Sequence, residues 1–129
     1  MTAATMDEFA TRLPRHVSAL PLARDAIDSL ELPSELREDA RLIVSELVSN
    51  AVRHGRGTIT LLLARGSDGA LKGSVVDDGH GFDRPNRPPT GPGPGGWGLT
   101  IVNTLSQEWG IASGPTGVWF RVAPPLARA

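Results

Sequence analysis

Hydrophobic residues recur every three to four positions between residues 34 and 54, which is the spacing of one face of an α-helix. At about 100° per residue, one arc of that helix holds Leu36, Ala40, Ile43, Val44, Leu47, Val48 and Ala51. The pattern predicts a long amphipathic helix packed on a core. Ser34 is its candidate N-cap, and Gly55 is its candidate left-handed stop. A shorter helix is predicted over residues 20–30.

Alternating or short apolar runs bounded by turn residues predict the strands. They lie at residues 8–13, 58–64, 71–77, 111–112 and 117–122. The turn at residues 66–69 favours an antiparallel hairpin. A third helix is predicted from residue 97 or 98 to Gly110, on the stripe formed by Leu99, Val102, Leu105 and Trp109. This order of elements predicts an α/β two-layer sandwich, with helices covering one face of a mainly antiparallel sheet.

Three polar residues form a row along the long helix: Glu46, Asn50 and His54. Residues four apart lie on neighbouring turns, so the Glu46 carboxylate and the Asn50 amide are within reach of one small ligand or hydrated ion. The ordinary interpretation is that both are solvated residues at the helix border. A single histidine such as His54 is more often structural than a ligand.

The end of the second hairpin strand carries another candidate. Strand periodicity places Asp77 on the same face as Leu71 and Val75, so we expect its carboxylate to be largely buried and to need a donor. The alternative is that Asp77 only begins a turn. A calcium loop of the EF-hand type fits less well, because its alternating oxygen ligands and terminal Glu are absent.

Residues 84–96 contain five prolines and four glycines, which favours an irregular segment. Loops this long are often binding loops or lids, although a simple tethering loop is the alternative. The segment leads into a predicted helix N-terminus, whose free backbone N–H groups suit phosphate. Its basic residues, Arg84 and Arg87, are candidates for phosphate contact, but the sequence assigns neither of them.

Three motifs together resemble those of one known family. They are Glu46-x-x-x-Asn50 on a helix, Asp77-x-Gly79-x-Gly81 at the end of a strand, and Gly96-x-Gly98-Leu99 opening a helix. In this order they resemble the N box and the two glycine boxes of the Bergerat-fold (GHKL) ATPases. The likeness is greatest to the bacterial anti-sigma factor serine/threonine kinases and their actinobacterial relatives. It covers residues 8–123 and implies one ATPase domain with the Bergerat fold over residues 1–129.

The resemblance implies a role for each motif in holding ATP or ADP with Mg²⁺. Asp77 would accept a hydrogen bond from the adenine amino group, and Asn50 would offer an oxygen to Mg²⁺. Glu46 would act as the general base. The glycines would let the backbone approach the nucleotide: Gly79 and Gly81 at the base, and Gly96 and Gly98, next to Leu99, at the phosphates. Thr116 resembles the threonine of a last box, but Pro115 and Gly117 flank it where relatives often carry another Gly or Thr.

Two neighbouring classes of protein are excluded. The sequence has no Gly-x-x-x-x-Gly-Lys-Ser/Thr motif, so this is not a Walker site. These 129 residues also leave no room for the dimerising helical hairpin that carries the phosphoacceptor of a histidine kinase, so we do not expect a complete histidine kinase.

Composition narrows the functional classes further. The net charge is -1 and there is no cysteine, which gives no electrostatic basis for direct nucleic-acid binding and no cysteine-based metal site. No apolar run is long enough for a membrane span and the start does not resemble a signal peptide, so we expect a cytoplasmic protein without a membrane partner.

The resemblance implies a kinase that phosphorylates an anti-anti-sigma (STAS) partner and regulates a sigma factor by partner switching. The alternative is a non-catalytic module that uses adenine nucleotide as a structural ligand in such a switch. The sequence names neither the antagonist nor the sigma factor, and it leaves a homodimer open.

Overall fold

A computed structural model describes residues 7–78, 99–112 and 117–123 of the chain. It contains eight elements in that part of the chain. In order they are β1 (Asp7–Leu13), α1 (Ala19–Asp28), α2 (Ser34–His54), β2 (Ile59–Arg65), β3 (Leu71–Val76), α3 (Leu99–Leu105), β4 (Glu108–Ala112) and β5 (Gly117–Val122).

The five strands form one antiparallel sheet in the order β1-β2-β3-β5-β4. Strand β1, predicted over residues 8–13, lies at one edge of the sheet, and β2 and β3 form the predicted hairpin. Its turn contains Gly69 at φ +86°, a left-handed conformation that glycine adopts without steric penalty. The predicted α/β two-layer sandwich is therefore confirmed.

The core lies between the helices and one face of the sheet. All seven residues of the predicted apolar face of α2 are buried. They share the core with sheet residues that include Ile59, Leu61, Leu71 and Phe120. The opposite face of the sheet is more open, since Leu62 and Trp119 are each about two-fifths exposed.

Helix α1 packs against α2, and polar contacts fix their alignment at two levels. Arg24 donates to the Ser45 hydroxyl at 3.4 Å, and Arg41 forms a salt bridge with Asp28 at 3.3 Å. The α2 helix is therefore held by both the sheet and α1. No described helix is long and apolar enough to cross a membrane.

Two predicted helix boundaries are wrong. Ser34 is the first residue of α2 rather than its N-cap, because Pro33 occupies the cap position and its carbonyl accepts the Arg37 N–H at 2.8 Å. Helix α3 ends at Leu105 rather than Gly110, and Trp109 lies in β4. The strand prevails because residues 108–112 pair in register with β5.

Candidate functional site

Two polar or charged residues are buried in the part of the chain that the structure describes. They are Asn50, which is 8% exposed, and Asp77, which is 4% exposed. Asn50 lies in the last two turns of α2, and Asp77 follows directly after β3, so two elements that pack against each other supply them. Both were candidate site residues. Burial of a polar group is unfavourable unless it has partners, so these two positions are the candidates for a specialised site.

The carboxylate of Asp77 lies directly against the backbone at the end of α2. A Cβ on Gly55 would stand 2.3 Å from Oδ2 of Asp77, closer than two atoms can approach. Gly55 therefore leaves the space that the carboxylate fills. Gly55 has φ -88° and ψ -172°, so the expected left-handed stop is wrong. Its backbone is extended, and glycine is needed there because it has no side chain to displace the Asp77 carboxylate.

Asp78, which the sequence analysis did not single out, fixes the segment next to this carboxylate. Its Oδ2 accepts the Thr58 N–H at 2.8 Å, and its own N–H donates to the Arg56 carbonyl at 2.8 Å. Gly57 has φ +66° and leaves no room for a Cβ beside the Asp78 carboxylate. The turn after α2 and the end of β3 are thus joined by backbone and side-chain hydrogen bonds.

Asn50 has a cationic neighbour on its own helix. Nη2 of Arg53 donates to Oδ1 of Asn50 at 3.0 Å, while Nη1 donates to the Ser49 hydroxyl at 2.7 Å. Arg53 was not among the predicted site residues. The spacing Asn50-x-x-Arg53 could have revealed it, because residues three apart on a helix are neighbours.

The third residue of the predicted cluster, Glu46, is half-buried one turn before Asn50. Four residues along an α-helix correspond to a rise of about 6 Å. His54 is the last residue of α2 and is exposed. Leu99 is the first residue of α3, a helix that packs against α2.

The other predicted site positions lie outside the described residues. They are Gly79, Gly81, Gly96, Gly98 and Thr116, together with Arg84 and Arg87 of the predicted lid. The structure therefore places Glu46, Asn50, Asp77 and Leu99, and it brings the first three to the C-terminal half of α2 and the adjoining end of β3.

The residues present fit a nucleotide with a magnesium ion. Oδ1 of Asn50 already accepts a hydrogen bond from the cationic Arg53, and Mg²⁺ also prefers oxygen ligands. In residues 7–78, 99–112 and 117–123, no three His, Cys, Asp or Glu side chains converge as a metal-binding group. Asn50 would therefore be a protein ligand beside phosphate and water oxygens, an arrangement usual for Mg²⁺.

A depression in the described surface lies elsewhere. It has a volume of about 780 Å³ and lies on the open face of the sheet, between residues of β1, β2, β3, β4 and β5. Asn50 and Asp77 belong to the helix-covered side. The candidate nucleotide site is therefore separate from this depression.

The family model of the histidine kinase-like ATPase domain matches residues 10–123. The chain belongs to this ATPase family. The match confirms the resemblance to the GHKL ATPases that the three motifs predict. Among curated proteins, none is significantly similar to the chain.

A solved structure of similar fold is the crystal structure of the RsbU and RsbW domains of Rv1364c from Mycobacterium tuberculosis. It matches this histidine kinase-like ATPase domain with a TM-score of 0.68 and 23% sequence identity. The match covers 91% of this chain but 32% of the other. At this identity the likeness establishes the shared fold alone.

Proposed function

We propose that the chain binds ATP with Mg²⁺ between the C-terminal half of α2 and the end of β3. The observation that carries this proposal is the burial of Asn50 and Asp77 at the junction of these elements. An acceptor carboxylate enclosed by backbone suits the amino group of adenine, and an amide oxygen suits the hard cation that accompanies the phosphates. Membership of an ATPase family supports the same ligand.

The reaction that we propose is phosphoryl transfer to a serine or threonine hydroxyl of a protein partner. Glu46 takes the hydroxyl proton, and the hydroxyl oxygen forms a bond to the terminal phosphorus. The bond between that phosphorus and the bridging oxygen breaks, and ADP leaves. Two observations support this role for Glu46. It lies about 6 Å along the helix axis from Asn50, and its side chain is half-buried rather than fully enclosed.

The partner that we propose is a STAS-type antagonist, and the regulated protein is a sigma factor. The motif resemblance to the anti-sigma factor kinases supports this choice, and the fold shared with a structure containing an RsbW domain is compatible with it. The setting that goes with this function is a single ATPase domain over residues 1–129 acting in the cytoplasm.

The test is transfer of the terminal phosphate of labelled ATP to a purified STAS partner. Glu46→Gln keeps the size of the side chain but cannot take the proton, so transfer should fall by roughly 10²- to 10⁴-fold while nucleotide binding persists. Glu38→Gln is the matched control, since Glu38 is exposed on the same helix. Asn50→Ala should instead weaken binding of the magnesium nucleotide.

One result would favour the non-catalytic switch module. In that case the parent chain captures the partner in a nucleotide-dependent manner but transfers no phosphate, and Glu46→Gln has no effect on capture.

A further inference from the structure

Two consecutive carboxylates follow β3, and the same short segment after α2 makes room for both of them. That segment is Gly55-Arg56-Gly57. An added Cβ on Gly55 would stand 2.3 Å from Oδ2 of Asp77. An added Cβ on Gly57 would stand 2.4 Å from Oδ2 of Asp78. Each carboxylate therefore fills a space that a glycine leaves open.

The two carboxylates differ in their surroundings. Asp77 is 4% exposed, whereas Asp78 is an exposed residue, because neighbours along an extended chain point to opposite sides. Oδ2 of Asp78 accepts the Thr58 N–H at 2.8 Å, and the Asp78 N–H donates to the Arg56 carbonyl at 2.8 Å. The proposed function uses Asp77 as the acceptor for adenine and leaves Asp78 without a role.

Asp78 acts where the pairing of the strands has ended. In the described part of the chain, the last pair that β3 forms with each of its neighbours involves Val76. Asp77 lies beyond that pair, so the sheet ladder does not fix it. The Asp78 side chain instead joins the end of β3 to Thr58, 20 residues earlier in the sequence. The position of Asp77 relative to the turn after α2 therefore depends on the Asp78 carboxylate.

We propose that Asp78 is a positioning residue, which holds the adenine-binding carboxylate of Asp77 in place without touching the nucleotide. A carboxylate that accepts a backbone N–H in a turn restricts the conformation of that turn. The turn begins with Gly55, whose backbone lies against the Asp77 carboxylate. Asp78 thus fixes the backbone on both sides of the adenine acceptor. This inference rests on the proposed function and adds to it a residue that acts through Asp77.

The consequence is energetic coupling between the two carboxylates. Removing the Asp78 carboxylate must weaken ADP binding as long as Asp77 is present to be displaced. Residues that act through one another have non-additive effects. A general loosening of the turn would instead weaken binding by the same factor with or without Asp77. The comparison therefore separates a positioning role from a merely structural one.

The experiment is calorimetric titration of ADP and GDP, with Mg²⁺, into the parent chain, Asp78→Ala and Asp78→Asn. Asp78→Ala should weaken ADP binding by roughly 3- to 15-fold, up to the loss of one hydrogen bond to a charged group. The preference for ADP over GDP should fall by a similar factor, because guanine gains nothing from the Asp77 acceptor. Asp78→Asn keeps an oxygen for the Thr58 N–H, so its ADP binding should stay within about twofold of the parent.

Two further variants test the coupling. In the Asp77→Asn background, adding Asp78→Ala should change ADP binding by less than about twofold. Gly57→Ala disturbs the same contact from the other side, since its Cβ would stand 2.4 Å from Oδ2 of Asp78. It should weaken ADP binding in the parent and not in the Asp77→Asn background. This variant provides the test if Asp78→Ala does not fold.

Asp68→Ala is the matched control. Asp68 is also an exposed carboxylate that accepts a backbone N–H in a turn, that of Ala70 at 2.9 Å. It lies in the turn at the opposite end of the β2–β3 hairpin from Asp77. Asp68→Ala should therefore bind ADP like the parent even if it is less stable. Circular dichroism and thermal unfolding report whether each variant is folded.

A folded Asp78→Ala that binds ADP like the parent would overturn the inference. An equal loss in the Asp77→Asn background, or an Asp78→Asn that recovers nothing, would overturn it as well. A parent chain that binds no ADP would overturn the proposed function itself. The two failures are therefore distinguishable.

Discussion

Replacing Gly55 by alanine tests how closely the site is built around Asp77. The added Cβ would lie 2.3 Å from Oδ2 of Asp77 and 2.6 Å from the Ala51 carbonyl oxygen. Ordinary contact requires roughly 3.5 Å, so the carboxylate must move by about 1 Å. The Ala51 carbonyl cannot make room, because it accepts the Gly55 N–H that closes α2.

In the proposed site, a shift of this size would remove the hydrogen bond between Asp77 and the adenine amino group. The loss of one such bond at a buried group corresponds to about 1–3 kcal/mol, which is roughly a 5- to 150-fold increase in the dissociation constant. Calorimetric titration with ADP measures that increase directly. The stability of Gly55→Ala is measured in parallel by denaturant unfolding, so that a partly unfolded sample is recognised.

Gly66→Ala is the matched control for this substitution. Gly66 lies in the hairpin turn at the other end of β2, and its added Cβ would meet the exposed Asp68 side chain at 2.9 Å. Because that side chain accepts hydrogen bonds from the Ala70 N–H and from Arg121, Gly66→Ala can also cost stability. It lies at the end of β2 away from Asp77, however, so ADP binding should be unchanged. If folded Gly55→Ala binds ADP as tightly as the parent, then the position of the Asp77 carboxylate does not matter and the adenine assignment is wrong.

Two further substitutions test the fold that holds the site. Gly73→Ala would place a Cβ 2.5 Å from the buried Phe120 ring and should lower the free energy of unfolding by about 1–3 kcal/mol. The added Cβ of Gly110→Ala meets the partly exposed Trp119 indole instead, so urea unfolding should show a change in the free energy of unfolding within roughly 0.5 kcal/mol. Equal losses of stability in the two variants would contradict the difference in packing between Phe120 and Trp119. The backbone N–H of Ala70, in the same turn as Asp68, lowers the pKa of the Asp68 carboxyl below the ordinary 3.8. Because this pKa is lowered in the folded protein, the ionised carboxylate stabilises the fold at higher pH. The difference in thermal midpoint between the parent and Asp68→Asn should therefore shrink as the pH falls below 3.8. A difference that grows in that range would refute the role of the Asp68 carboxylate.

The parts of the molecule that could be predicted from sequence are those in which one segment determines its own environment. The apolar face of α2 follows from the 3.6-residue period alone, and all seven predicted residues are buried. Asp77 could be expected inside the fold because strand alternation continues from Leu71 and Val75. The sequence shows that Asn50 and Arg53 are three residues apart on a helix, but only the structure shows that their side chains form a hydrogen bond.

The errors arose where distant segments decide the conformation. Gly55 is extended because its backbone lies against Asp77, a residue 22 positions later that no local pattern connects to it. The helical stripe that reaches Trp109 was misleading because β5 offers a competing partner. The Gln107 N–H donates to the Arg121 carbonyl at 2.7 Å, so the chain has already joined the sheet before residue 108.

The central claim is that Asp77 makes this site specific for adenine. Guanine carries a carbonyl oxygen where adenine carries its amino group, so the Asp77 carboxylate should attract one and repel the other. The decisive measurement is the ratio of the dissociation constants for ADP and GDP in the parent chain and in Asp77→Asn. We expect the parent to prefer ADP by at least about tenfold, and the variant, whose amide can donate as well as accept, to lose most of that preference. Equal binding of ADP and GDP by the parent chain, or an unchanged preference in Asp77→Asn, would contradict the account.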